Sequence, residues 1–307
     1  MISVIIPVYN EKESVAILHA ELISVLEGLG EPFEIIFIDD GSTDDTISEL
    51  KKLTPVRIIA FTKNFGKSQA LQAGFKAARG DYIFTMDGDL QDDPHEIPRF
   101  LNTMGDSSVD LVCGWKQNRL DGGAKLLVSK MANGLTRYFT GTAVHDMNCC
   151  FKLYRKTVVQ SLDLYGDMHR YIPALVVAYG FRITELPIKH NKRSFGVSKY
   201  GNFRRFSKSF FDFVTLLLMR RFVDRPMHFF GIMGTFSAFC GALILVYLAF
   251  LKIVEGELIG SRPLLLLGVL LVVIGIQLFS SGFLAELLIR QNPNRSMYTL
   301  REVIENT

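Results

Sequence analysis

The sequence predicts an α/β domain over residues 1–200 followed by an apolar two-helix hairpin, and three observations carry that reading. Short apolar runs rich in Ile, Val and Phe alternate with segments of helical periodicity, the pattern of repeated βα units. The runs are continuous rather than alternating, which suits a mainly parallel sheet covered on both faces. Near the C-terminal end, Phe229 to Leu251 and Leu264 to Ala285 contain no charged residue.

The first strand is expected at Ile2 to Val8. A helix follows over Ser14 to Leu29, because Val15, Leu18, Leu22, Val25, Leu26 and Leu29 recur at helical spacing and Gly28 and Gly30 mark its end. Glu34 to Ile38 is the second strand. A short helix from about Asp45 to Leu53 comes next, with Ser42 or Thr43 available as its cap. Val56 to Phe61 reads as a strand, Ser68 to Ala78 as a helix stopping at Gly80, and Tyr82 to Thr85 as the fourth strand.

The chain of 307 residues is 49% hydrophobic, with mean hydropathy +0.23 and formal net charge +3. Its apolar excess is concentrated in the two uncharged stretches, each long enough for the ~20 residues that cross a bilayer. Spans are expected at about 229–251 and 264–288, within a hairpin of residues 227–290, and residues 291–307 form a tail. Arg220, Arg221 and Arg225 before the first span, and Arg290, Arg295 and Arg301 after the second, place both ends on the cytoplasmic side of the inner membrane. Met1 opens directly into a strand without a basic, apolar leader, so the first domain is expected to stay in the cytoplasm. Residues 201–226 interleave aromatic and basic side chains, as in amphipathic helices lying at a bilayer surface. Cys113, Cys149, Cys150 and Cys240 have no Cys-x-x-Cys spacing and read as free thiols.

In parallel sheets, ligands bind beyond the carboxyl ends of the strands. Four polar clusters fall there: Tyr9-Asn10-Glu11, Asp39-Asp40-Gly41-Ser42, Lys63-Asn64-Phe65-Gly66-Lys67, and Asp87-Gly88-Asp89-Leu90-Gln91-Asp92-Asp93. The last crowds four carboxylates into seven residues behind a buried strand. A divalent cation with a diphosphate would relieve that repulsion, because Mg²⁺ and Mn²⁺ take hard oxygen ligands and complete their shells with phosphate and water. Asp87 and Asp89 share a face of extended chain, with Gln91 next on it. Asp92 and Asp93, before Pro94, are expected to begin and cap the following turn.

Val4-Ile-Ile-Pro-Val-Tyr-Asn-Glu11, Asp39-Asp-Gly-Ser-Thr-Asp44 and Asp87-Gly-Asp89 together resemble inverting family 2 glycosyltransferases with the GT-A fold, a Rossmann-like, mixed and mainly parallel sheet. Lys63-Asn-Phe-Gly-Lys67, His145-Asp-Met-Asn-Cys-Cys-Phe-Lys152 and Arg193-Ser-Phe-Gly-Val-Ser-Lys-Tyr200 are similar to the branch of dolichol-phosphate mannose synthases and bactoprenol glucosyltransferases. The resemblance implies that Pro7, Tyr9, Glu11, Asp40, Lys67, Asp87 and Gly88 bind the nucleotide sugar. It gives the metal to Asp89 and Gln91, with Asp87 beside it. It has Arg193 and Lys199 close on the diphosphate, while Arg119, Ser129, Lys130 and, in reserve, Arg137 hold the acceptor phosphate. Asp89, Asp146, Arg119 and Lys130 are the catalytic candidates. Where some relatives carry a carboxylate before Phe-Arg-Leu, this chain has Cys150 before Phe151-Lys152-Leu153, which leaves Asp146 as the nearest acid. Asp167 and His169 are expected to line the site.

The implied activity is transfer of one hexose from a nucleotide sugar, UDP-glucose first and GDP-mannose second, to an undecaprenyl or dolichyl type of polyprenyl phosphate. A processive polysaccharide synthase would carry Gln-x-x-Arg-Trp, whereas the only tryptophan here is Trp115. A non-catalytic adaptor would have a broken Asp-x-Asp or basic loop, and both are intact. A homo-oligomer, such as a tetramer, is expected of the hairpin, and no nucleic-acid partner is.

Overall fold

The computed structural model describes residues 1–105, 108–116, 144–189, 226–256, 258, 260 and 262–291. These fall into two compact units, one drawn from residues 1–216 and the other from 217–298.

In the first unit, β1 (Ile2–Val8), α1 (Val15–Gly28), β2 (Phe33–Asp39), α2 (Thr46–Leu50), β3 (Arg57–Ala60), α3 (Lys67–Ala77) and β4 (Tyr82–Thr85) follow the expected βα alternation. A 3₁₀ turn, Pro94–Glu96, leads into α4 (Ile97–Met104) and β5 (Leu111–Lys116). Then come β6 (Lys152–Arg155), α5 (Lys156–Ser161), a 3₁₀ turn at Met168–Tyr171, α6 (Ile172–Ala178) and β7 (Ile183–Ile188). The strands form one sheet in the order β3-β2-β1-β4-β6-β5-β7. β1 pairs in parallel with both β2 and β4, with Ile2 opposite Phe33 and Tyr82 respectively, and β2 is parallel to β3. β6 is antiparallel to its neighbours β4 and β5, while β5 and β7 are parallel, so the sheet is mixed.

β5, β6 and β7 have no counterpart in the sequence reading. β6 carries Lys152 and Arg155, and β7 carries Glu185 and Pro187, polar interruptions that hide short strands from pattern. α2 is shorter than expected, and neither Ser42 nor Thr43 caps it. Instead Asp44 Oδ1 accepts from Thr46 N at 3.0 Å, because Ser42 and Thr43 are engaged by Asn10.

The continuous apolar strands bury both faces. Ile2, Val4, Ile5 and Ile6 of β1 have no solvent exposure, nor have Leu18, Leu22 and Leu26 of α1. Phe84, Phe100 and Phe151 pack edge to face with centroids 4.5–5.7 Å apart. α3 lies so close to the sheet that a Cβ on Gly74 would stand 2.4 Å from Ile5 Cγ2. The chain winds outward through β2 and β3 on one side of β1 and returns to place β4 on the other. This reversal opens a crevice beyond the carboxyl ends of β1 and β4, where ligands of open α/β sheets bind.

The second unit consists of α7 (Pro226–Val254) and α8 (Pro263–Arg290). Both exceed the length needed to cross a bilayer, and only 17% and 11% of their most apolar stretches are buried, which sets them apart from core helices of a soluble domain. They meet through small residues. A Cβ on Gly241 would lie 2.6 Å from Gly268 O, and one on Gly275 2.6 Å from Gly234 O, while Ser237 Oγ donates to Leu271 O at 2.9 Å. Such residues let membrane helices approach backbone to backbone.

Candidate active site

The four polar clusters at the strand ends are joined into a closed ring. Asn10, in the left-handed region at φ 54°, donates its N–H to Ser42 Oγ at 2.8 Å and accepts from Thr43 N at 2.7 Å, tying the first cluster to the second. Glu11 N adds a bond to Thr46 Oγ1 at 2.9 Å. The second cluster is joined to the third by Asp40, whose buried carboxylate accepts from Phe65 N at 2.7 Å and Gly66 N at 3.0 Å. Gly41 makes that approach possible: its φ is +70°, and a Cβ there would sit 2.3 Å from the carbonyl carbon of Lys63. Lys67 reaches from the third cluster to Asp87 in the fourth, and Ser14 Oγ closes the ring by donating to Gly88 O at 2.6 Å.

Asp40 therefore shapes the site by holding the turn before α3. Burial raises its carboxyl pKa and Asp39 adds to the rise, against the two amide bonds from Phe65 and Gly66. Pro7 and Tyr9, at the end of β1, and Glu11 beyond it are half-buried along the crevice.

The crowded carboxylates are each given a different partner. Lys67 Nζ lies 2.5 Å from Asp87 Oδ1, with the side chains 25% and 30% exposed. Burial opposes the charge on Asp87, yet Lys67 and Lys116 outweigh it and hold its carboxyl at about 2. Burial likewise opposes the Lys67 ammonium, and Asp87 overcomes it, so its pKa stands above the ordinary lysine value. Asp92 pairs with Lys116 at 2.7 Å, deep in the domain. This corrects the expectation that Asp92 shapes the turn: only Asp93 does so, accepting from His95 N at 2.9 Å. Asp89 Oδ1 accepts from Gln91 N at 3.2 Å across Leu90, which is held at φ 61°. A non-glycine residue in that region costs roughly 1–3 kcal/mol, and such residues cluster at functional sites.

Asp146 is also positioned, by Glu185, which no motif or spacing singles out. Glu185 Oε1 accepts from His145 N at 2.7 Å and Asp146 N at 3.0 Å, while Oε2 stands 2.8 Å from His145 Nδ1. Trp115 stacks on the His145 ring at 4.4 Å. Asp146 itself is buried and accepts from Asn148 N at 3.2 Å. His169 meets Ser68 at the start of α3, and Asp167 pairs with Arg170 at 3.5 Å. Cys113, Cys149, Cys150 and Cys240 are free thiols. Arg119, Ser129, Lys130, Arg137, Arg193 and Lys199, and nearly all of the 201–226 segment, lie outside the described residues.

Among the described residues no group of three or more His, Cys, Asp or Glu side chains forms a ready metal cage. The oxygen donors of Asp89 and Gln91 nevertheless fit Mg²⁺ or Mn²⁺, which bind through one or two carboxylates and draw remaining ligands from substrate phosphate and water. Asp87 stands beside them with an oxygen already engaged by Lys67.

Comparison with known proteins identifies the family and the fold. The sequence model described as glycosyl transferase family 2 matches residues 3–163. The chain is 37% identical over 319 aligned residues to dodecaprenyl-phosphate galacturonate synthase from Rhizobium johnstonii, covering 99% of this chain and 93% of that protein. Among solved structures, glucosyl-3-phosphoglycerate synthase from Mycobacterium tuberculosis in complex with Mn²⁺, uridine diphosphate and phosphoglyceric acid has a TM-score of 0.56 at 18% identity, covering 72% of this chain and 78% of that one. Its complex with Mg²⁺ and uridine diphosphate gives the same TM-score and identity, with coverage of 72% and 79%. At that identity the likeness is one of fold.

Proposed function

The chain belongs to glycosyl transferase family 2 and has the GT-A fold, and on that premise we propose that it transfers a single sugar from a nucleotide sugar to the phosphate of a membrane polyprenyl phosphate, inverting the anomeric carbon. The observation that carries the proposal is the 37% identity, sustained over 99% of the chain, to a dodecaprenyl-phosphate galacturonate synthase. That relative's product puts a nucleotide-linked galacturonate ahead of UDP-glucose and GDP-mannose as the donor. Two long apolar helices that are mostly unburied suit a lipid acceptor, and the flanking arginines favour a catalytic domain on the cytoplasmic side of an inner membrane.

In this reading Pro7, Tyr9 and Glu11 line the nucleoside side of the crevice, with Asp40 shaping it from behind. Asp89 and Gln91 would hold Mg²⁺ or Mn²⁺, which when bound would supply charge compensation for a leaving diphosphate. The acceptor phosphate is ionised near neutral pH, so it needs orientation and charge compensation more than a base. Arg119, Ser129, Lys130 and Arg137 are assigned to that phosphate, and Arg193 and Lys199 to the departing diphosphate. Asp146, held by Glu185, is the acid nearest the family's base position.

The test is to incubate the purified protein with Mg²⁺ or Mn²⁺, undecaprenyl phosphate and labelled UDP-galacturonate, UDP-glucose or GDP-mannose in turn, then count label in the lipid phase. Transfer of one sugar from one of these donors supports the proposal. A product carrying many sugars would indicate a processive synthase, and no transfer by folded protein would indicate an adaptor.

A further inference from the structure

Ser68 is the second residue of α3, is fully buried, and makes no hydrogen bond to its own helix start. Its hydroxyl is turned instead to a residue 101 positions away: Ser68 Oγ accepts from His169 N at 3.0 Å and lies 2.9 Å from His169 Nδ1. The same face of α3 is fastened further along. Gln69 Nε2 donates to Leu164 O at 3.1 Å, Gln72 Nε2 donates to Leu162 O at 3.2 Å, and Gln72 Oε1 accepts from Leu164 N at 2.9 Å. Helix α3 is thus bonded side by side to the segment that ends in His169, and its first residue is Lys67, the partner of Asp87.

We propose that His169 is a positioning residue, which through Ser68 fixes the first turn of α3 and so aims Lys67 at Asp87 in the nucleotide-sugar site. The proposal rests on the glycosyltransferase reading for what Asp87 serves, and on geometry for the linkage itself. Ser68 Oγ accepts the backbone N–H of His169 and has one proton of its own; the proposal has that proton given to Nδ1, which leaves the ring's proton on Nε2. Burial, followed by the charges of Lys67 and Arg170, holds the imidazole at about 2, so it stays neutral at any working pH. A ring that takes up no proton near neutrality is unsuited to act as a general base. It serves as a fixed acceptor for the hydroxyl. His169 and Lys67 also border one small cavity, of about 10 Å³, with Thr85, Asn148 and Lys152.

Asparagine places an oxygen near the position of Nδ1, whereas phenylalanine keeps the ring and removes the acceptor. With the full chain in detergent or vesicles, His169→Asn should leave the donor KM within about 3-fold of the parent, while His169→Phe and Ser68→Ala should raise it about 10-fold, the scale of one buried hydrogen bond. In a Lys67→Met background Ser68→Ala should add nothing further, because the positioned group is gone. Full additivity there, or a His169→Asn variant that loses kcat at unchanged KM, would overturn the proposal. A second readout needs no turnover: in ¹⁵N-histidine spectra, the signal lost in His169→Asn should have the Nε2–H pattern and stay unshifted between about pH 5 and 8, where an ordinary histidine titrates. An Nδ1–H pattern, or titration in that window, would overturn it even if no sugar is transferred. Failure of the parent to transfer sugar, with the spectroscopic result intact, would count against the proposed reaction alone.

Discussion

Lys116, the last residue of β5, places its ammonium 2.7 Å from Asp92, a carboxylate with no solvent exposure. The pair ties the Asp87–Asp93 loop to the end of β5. Burial opposes the charge on Lys116, and the carboxylates of Asp92 foremost and Asp87 more than compensate, so the lysine is firmly cationic.

Breaking that pair from one side leaves the other charge buried and alone. Lys116→Met or Asp92→Leu should each destabilise the catalytic domain by about 3–5 kcal/mol, and the double variant by clearly less than the sum. Denaturant unfolding of the three variants, followed by the single tryptophan, measures this.

Asp89→Ala should abolish transfer and its dependence on Mg²⁺ or Mn²⁺, while the melting temperature and membrane insertion stay as in the parent. Titrating each ion against parent and variant checks the assignment. Full activity in the variant would move the metal away from the Asp-x-Asp.

Asp87 gives a defined acid response. Its carboxyl is depressed to about 2 when folded, against about 3.9 in an unfolded chain, so its contribution is complete above about pH 4 and is lost as pH falls toward 2. Stability measured between those limits should fall more steeply in the parent than in Asp87→Asn. Equal slopes would mean that Lys67 and Asp87 are not paired in solution.

In the hairpin, Gly241→Leu and Gly275→Leu drive a side chain into backbone 2.6 Å away. Each should part α7 from α8, at a cost of at least 1–3 kcal/mol by the scale of overpacking. A cysteine pair set across the seam in a chain cleared of its own thiols should crosslink in the parent and fail in these variants. Undiminished crosslinking would contradict the packing.

The outer frame was legible because it rests on uninterrupted patterns. Ile2–Val8 and Tyr82–Thr85 are predominantly apolar strands, α1 repeats its leucines at helical spacing, and the spans are marked by the uncharged stretches Phe229 to Leu251 and Leu264 to Ala285. The rule that ligands of parallel sheets bind beyond the carboxyl ends of strands also located the polar rim. What remained hidden depends on pairing across distance. Lys116 and Glu185 look like ordinary charges in short, broken strands until β5 and β7 are set side by side. The crowding of carboxylates suggested a bound cation, but two of the counter-charges are lysines of the protein itself, 20 and 24 positions away in the chain. Ser42 and Thr43 resemble caps for the helix that follows them, yet Asn10, brought alongside by the parallel pairing of β1 and β2, claims both.

The glycine seam of the hairpin has a consequence for assembly. Because Gly234, Gly241, Gly268 and Gly275 are turned toward the sister helix, the outward surface is left to Phe236, Phe239, Val246, Phe250 and Leu266. A second copy of the chain would therefore meet bulky, irregular knobs, and backbone contact between copies is ruled out along that seam. Such knobs interlock as readily with acyl chains as with one another. Self-association, where it occurs, should then follow bilayer thickness and protein-to-lipid ratio, loosening as detergent or short-chain lipid competes for the same grooves.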